Sequence, residues 1–255
     1  MKKWIIGVVV FIVVYLVFLA TQIPAQWAIN QIALPKHIAL YGINGSVWHT
    51  SIDRIMINNP GYDANEGYSV NQVTTEVNLL SFLIFNPSVT TTFGGPLVSG
   101  PEGQATLSQL SGDIEISDLK ISAPANDIAQ QLTLPIELTA QKFIDINVDE
   151  FVMGKPLCQQ LSGTVAWENA GVKAFDQSVD LGALNGTLAC DKGAVKFTFN
   201  PKNNLGLTLT AHIYSPERIS GKGYIIPGNK FPAKLNDLLP FIGQKDNQGR
   251  YPLNF

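Results

Sequence analysis

Long runs in which apolar and polar residues alternate one by one do most to limit the folds open to this chain. Ile144, Ile146 and Val148 alternate with Asp145, Asn147 and Asp149. Val195, Phe197 and Phe199 alternate with Lys196, Thr198 and Asn200. Leu205, Leu207, Leu209, Ala211 and Ile213 alternate with Gly206, Thr208, Thr210 and His212, and Val73, Thr75, Val77 and Leu79 fall on one face. A period of two places successive side chains on opposite faces of a strand, so these runs predict antiparallel strands with one apolar and one wet face. Between 113 and 121 the phase slips. Ile114 and Ile116 share one parity, Leu119 and Ile121 the other, which predicts a bulge or break near Ser117-Asp118. With Gly 22 and Pro 15 in 255 residues, short strands and turns are favoured over long helices. Short helices are expected only over 24–32, 124–132 and 231–242, the last limited by Pro240.

One phrase is written repeatedly. Ile43-Asn44-Gly45-Ser46-Val47-Trp48 returns as Leu161-Ser162-Gly163-Thr164-Val165-Ala166-Trp167, and more loosely at Leu110–Ile114, Leu184-Asn185-Gly186-Thr187-Leu188 and Ile219–Gly223. The spacing is irregular, so this is not a solenoid repeat. Glycine inside a strand permits a bend. Gly45, Gly163 and Gly186 are therefore expected to mark bends in a long antiparallel sheet curling into a trough or half-pipe, with Trp48 and Trp167 as large anchors where glycine supplies no side chain.

The N-terminus differs from everything that follows. Lys2 and Lys3 precede seventeen residues without charge, Trp4 to Ala20, of which thirteen are Val, Ile, Leu or Phe. As a helix they span about 25 Å, the lower limit for a bilayer. A cleaved signal peptide is the alternative, but the apolar run is longer than such segments carry and no small-x-small cleavage site follows. The reading is a cytoplasmic 1–3, an uncleaved transmembrane anchor over 4–21, and a β domain over 22–255 beyond the membrane. In that oxidising space Cys158 and Cys190 are expected to form a disulfide, with two buried free thiols as the alternative.

The chemistry of catalysis is sparse. His37, His49 and His212 stand in no metal-ligand spacing. Phe93-Gly94-Gly95-Pro96 lacks the Lys and Ser/Thr of a phosphate loop, and Asp145 and Asp149 share an outward strand face. A net charge of -3 without a basic aromatic patch excludes a nucleic-acid partner. No catalytic residue, metal or cofactor is assigned, and the chain is expected not to be an enzyme.

The order of these features resembles the type II secretion system protein N family. The similarity is carried by the basic anchor, by Gly45-Ser46-Val47-Trp48, and by Gly154-Lys155-Pro156-Leu157-Cys158 leading into Leu161–Trp167. The ending Leu239-Pro240-Phe241-Ile242-Gly243 followed by Gly249-Arg250-Tyr251-Pro252-Leu253 completes it. His49-Thr50-Ser51 and Asn78 depart from the family pattern, which tends to place Gly after the first Trp and a further Trp near 78. The resemblance implies an accessory, structural component in the bacterial inner membrane, its bulk periplasmic, with the inner-membrane platform and the outer-membrane secretin as partners. A distant likeness to AsmA-like envelope proteins implies the alternative of a lipid-binding trough.

Overall fold

The computed structural model describes residues 2–35, 37–58, 67–79, 81, 86–95, 100–110, 113–130, 138–174, 177–215 and 218–255. The chain divides into two compact units, Met1–Ser99 and Gly100–Phe255. The looser phrase at Leu110–Ile114 falls partly outside the described residues.

The first unit opens with helix α1 (Lys2–Thr21) and the short α2 (Ala25–Asn30), entered through Pro24 in extended backbone. Four strands follow: β1 (Ile38–Ser46), β2 (His49–Asn58), β3 (Gly67–Asn78) and β4 (Ser88–Phe93). Each pairs antiparallel with its sequence neighbour. Ile52 on β2 faces Val73 on β3, and both are buried.

The second unit is built from β5 (Glu102–Leu110), β6 (Asp113–Pro124), α3 (Ala125–Ala129), β7 (Thr139–Gln141), β8 (Phe143–Met153), β9 (Cys158–Ala174), β10 (Gln177–Asp191), β11 (Ala194–Phe199), β12 (Leu207–Ser215), β13 (Arg218–Ile225), a 3-10 turn (Ala233–Leu238), α4 (Leu239–Ile242) and β14 (Tyr251–Asn254). The order across this sheet is β5-β6-β8-β9-β10-β11-β12-β13-β14, with β7 beside the far end of β9. All of the pairs are antiparallel. The mainly β class and the three short helical segments agree with the alternation and with the proline positions. The helix over 231–242 is a 3-10 turn and one α turn, because Pro240 can sit only in a first turn.

Phase slips in the hydrophobic pattern become bulges. Asp118 takes a left-handed φ of 50°, and the β5–β6 pairing shifts register across it, from Gln104↔Lys120 to Thr106↔Ser117. On β9 and β10 the buried parity also switches. Leu161 and Val165 give way to Ala170 and Val172 past Asn169 (φ 50°), and Val179 and Leu181 give way to Leu184 past Gly182 (φ 76°). A left-handed residue absorbs one extra position and returns the apolar set to the same face. The cluster this assembles is Ala170, Val179, Leu181 and Leu184, with Trp167, Val172, Phe199, Leu205 and Leu235 packed on it. Each fully buried leucine there contributes about 1.5–3 kcal/mol.

The apolar face does not match the expected anchor so simply. α1 is a 20-residue helix in which Trp4, Phe11, Val14 and Phe18 are exposed. Among the described residues, however, no helix is long and apolar enough to cross a membrane.

Candidate interaction surfaces

The two tryptophans of the repeated phrase perform the same physical task at different places. Trp48 stands in the β1–β2 turn, and its indole Nε1 donates to the carbonyl of Ala20, at the end of α1, at 2.8 Å. Around it Val47 N–H donates to Ile23 O at 3.0 Å, Pro24 bridges Ser46, and Thr50 Oγ1 donates to Ser46 O at 2.9 Å. Gly45 has φ 88°, and a Cβ there would strike the carbonyl of His49, so only glycine closes this turn. Trp167 lies within β9, and its Nε1 donates to Gln141 O on β7 at 2.9 Å. Each indole thus reaches back to a carbonyl, 28 residues upstream in the first case and 26 in the second, and ties the earlier segment to the sheet. Trp48→Phe should cost about 1 kcal/mol. Amide exchange at Val47 should quicken, whereas an unchanged rate would mean that Trp48 holds nothing there.

Gly163 and Gly186 are strand residues on the apolar face. A Cβ on Gly163 would lie 2.6 Å from the carbonyl of Asn147 on β8, and one on Gly186 would meet the ring of Phe197 and, at 2.9 Å, the carbonyl of Thr198. These glycines therefore mark close approaches. The register shifts of the β9–β10 pair lie further along, between Asp180 and Leu184.

Cys158 and Cys190 are joined as a disulfide, and no free cysteine remains. Next to it Leu157 N–H and Cys158 N–H both donate to Gly193 O, in the β10–β11 turn.

Among the described residues three ion pairs stand apart from one another: His49–Glu76, His212–Asp191 and Arg250–Asp246. His212 has Nε2 3.0 Å from Asp191 Oδ2, and this contact holds the Asp191 carboxyl below its usual range. His49 Nδ1 is 3.3 Å from Glu76 Oε1. No metal-holding group of three or more His, Cys, Asp or Glu occurs among the described residues. Asp246 closes the turn before β14. It accepts from Arg250 N–H at 2.9 Å, from Arg250 Nε at 2.8 Å and from Gln248 N–H at 2.8 Å, and these bonds lower its carboxyl below the ordinary 3.8. A depressed carboxylate stabilises the fold above its unfolded value, and the contribution is lost as pH falls through the folded one. Asp246→Asn should therefore melt earlier than the parent at pH 7, with the gap closing below about pH 4. A gap independent of pH would contradict this.

Pairing is open at two strands. Among the described residues β1 pairs on one side only, with β2, and β14 on one side only, with β13. The connector before α2 pairs with the Ser46 end of β1, and α2 itself packs against β1. A lipid trough would need an uncovered apolar face, and over the β9–β10 cluster Leu235 of the 3-10 turn lies against it.

The described residues place this chain in the class of mainly β proteins built on an open antiparallel sheet, with ionisable groups in dispersed pairs. Comparison with known proteins narrows that class. The family model described as type II secretion system (T2SS), protein N matches residues 36–254. Relatives named type II secretion system protein N come from Aeromonas hydrophila, 29% identical with 100% of this chain and 98% of that protein covered, and from Vibrio cholerae, 25% identical with 96% and 94% covered. Another, from Pectobacterium carotovorum, is 24% identical with 100% and 97% covered. No solved structure matches. The chain belongs to the type II secretion system protein N family and is a component of that secretion machinery.

Proposed function

We propose that this chain is an accessory component of type II secretion, held in the inner membrane by α1, whose β units lie in the periplasm and work by contact with other parts of the machine. The observation that carries the reading is the edge of β1 over Ala39–Gly45, which among the described residues pairs with a strand on one side only. Strand addition at such an edge is a common way for proteins to dock. The inner-membrane platform and the secretin are the partners this reading names.

The anchor rests on the sequence. Twenty helical residues are about 30 Å long, the thickness of a bilayer core. No charge interrupts Trp4 to Ala20, and the described apolar side chains are exposed all round the helix. The disulfide fits an oxidising compartment. In this reading the first Gly-Ser-Val-Trp phrase is the joint that fixes the membrane helix to the first hairpin.

Alkaline extraction of membranes tests the anchor. The full chain should stay with the membrane fraction, and a chain lacking residues 4–20 should be released. Release of the full chain would overturn the anchor, and recovery of a mature chain without Met1–Ala20 would replace it with a cleaved signal.

A further inference from the structure

On the polar face of the second unit the strand register aligns side chains from distant parts of the chain into rows. Asn147 pairs with Thr164, Thr164 with Thr187, Thr187 with Thr198, and Thr198 with Thr210, so one row of small polar side chains crosses β8 to β12. Two residues further along each strand, Ala166 pairs with Asn185, and Asn200 N–H donates to Asn185 O at 2.7 Å. Between the two rows, over the backbone of Val165, Gly186 and Phe199, lies a groove of about 490 Å³. Thr164, Thr187 and Thr198 line one side, Ala166, Asn185 and Asn200 the other, and Pro201 adjoins.

We infer that this groove binds a neutral, extended glycan lying across β9, β10 and β11. No charged side chain lines it, so it offers nothing to a phosphate or carboxylate ligand. An acyl chain would strip water from hydroxyls and amides without replacing the bonds, at about 1–3 kcal/mol per group. An added peptide strand needs free backbone N–H and C=O groups, and those of β9, β10 and β11 are already used in pairing on both sides. A sugar chain meets both demands: its hydroxyls face the Thr and Asn side chains, while its C–H faces rest on Ala166, Pro201 and the threonine methyls. The interstrand step of about 4.8 Å repeats a hydroxyl at close to the length of one pyranose ring. Asn185 adds a sign of incompleteness. Its Nδ2 donates to Glu168 Oε1 at 3.1 Å, but its Oδ1 is buried without a donor. A small turn of this amide toward the groove would give Oδ1 a ligand hydroxyl or amide N–H.

The inference is separate from the docking reading, which concerns the strand edges. It is tested by calorimetric titration of the full chain in detergent with chitopentaose, cellopentaose and, as the anionic arm, a hyaluronan oligosaccharide of similar length. Saturable binding of a neutral pentasaccharide is expected, weakened about tenfold or more by Thr187→Arg, which lays a long side chain across the groove from an exposed position. Thr90→Arg, at an exposed position on β4 of the other unit, should bind as the parent does, and equal melting temperatures of the two variants show that both are folded. Should Thr187→Arg melt lower, Thr198→Ala serves in its place with the same expected weakening. Absence of saturable binding to both neutral sugars, preference for hyaluronan, or undiminished binding by the groove variant would overturn the inference.

Discussion

Cys158→Ser should lower the stability of the second unit by about 2–4 kcal/mol under oxidising conditions, and the loss should vanish when parent and variant are compared in reductant. The disulfide joins residues 32 apart in sequence, at the start of β9 and near the end of β10. These strands are adjacent and pair antiparallel, so the bond adds no new neighbour. Its stabilisation comes mainly from the unfolded chain, where closing a loop of this size removes about 3.7 kcal/mol of entropy in the simplest account. For a unit of about 150 residues a loss of about 2–4 kcal/mol is a fall in Tm of roughly 4–16 °C. Thermal melts with and without reductant check it. Equal melting of parent and variant in the absence of reductant would mean that the bond constrains nothing the unfolded chain was free to do.

Gly163→Val should be the more damaging change. Gly163 has extended backbone, so the penalty does not come from φ. It comes from Asn147 O, 2.6 Å from where a Cβ would stand, and from Val148, whose Cα and Cγ2 would both be at 3.2 Å. The obstacle is the backbone of β8 in the middle of a paired strand, and Val148 is buried. Neither can move without opening the β8–β9 ladder. A loss of about 3 kcal/mol or more is expected, at the upper end for overpacking. Gly163→Ala should lose less, because valine adds two branches to the same clash. If Gly163→Val melted with the parent, the glycine would be ordinary strand filler and the close approach of β8 would have no energetic weight.

How legible was this molecule in its sequence? The strands were, because period-two runs such as Leu207–Ile213 cannot serve another element, although the alternation that begins at Leu205 starts in a turn. The bulge at Asp118, where β6 shifts register against β5, was legible too, since Ile116 and Leu119 cannot share a face without one extra residue between them. The same signal was present at Val70 and Val73 around Gln72, and at Leu181 and Leu184 around Gly182, but short apolar runs there blurred it. The role of the tryptophans was only half readable. Their bulk marked them as anchors, yet the partner of each indole N–H is a main-chain carbonyl, which no side-chain pattern can reveal. The His212–Asp191 pair was hidden because it joins β12 to the end of β10 across β11. The polar groove was hidden for the same reason. Thr164, Thr187 and Thr198 become neighbours only when three strands fix their register.

Photocrosslinking in living cells from Tyr41 or Asn44 on β1 tests the docking claim most directly. Both side chains are exposed, and both stand on the strand that pairs on one side only. Adducts should form with identified components of the secretion machinery and should fall away when the same probe is placed at Asp145, inside the sheet of the second unit. If β1 yields no adduct with any secretion component in cells that are actively exporting cargo, the chain does not work through that edge.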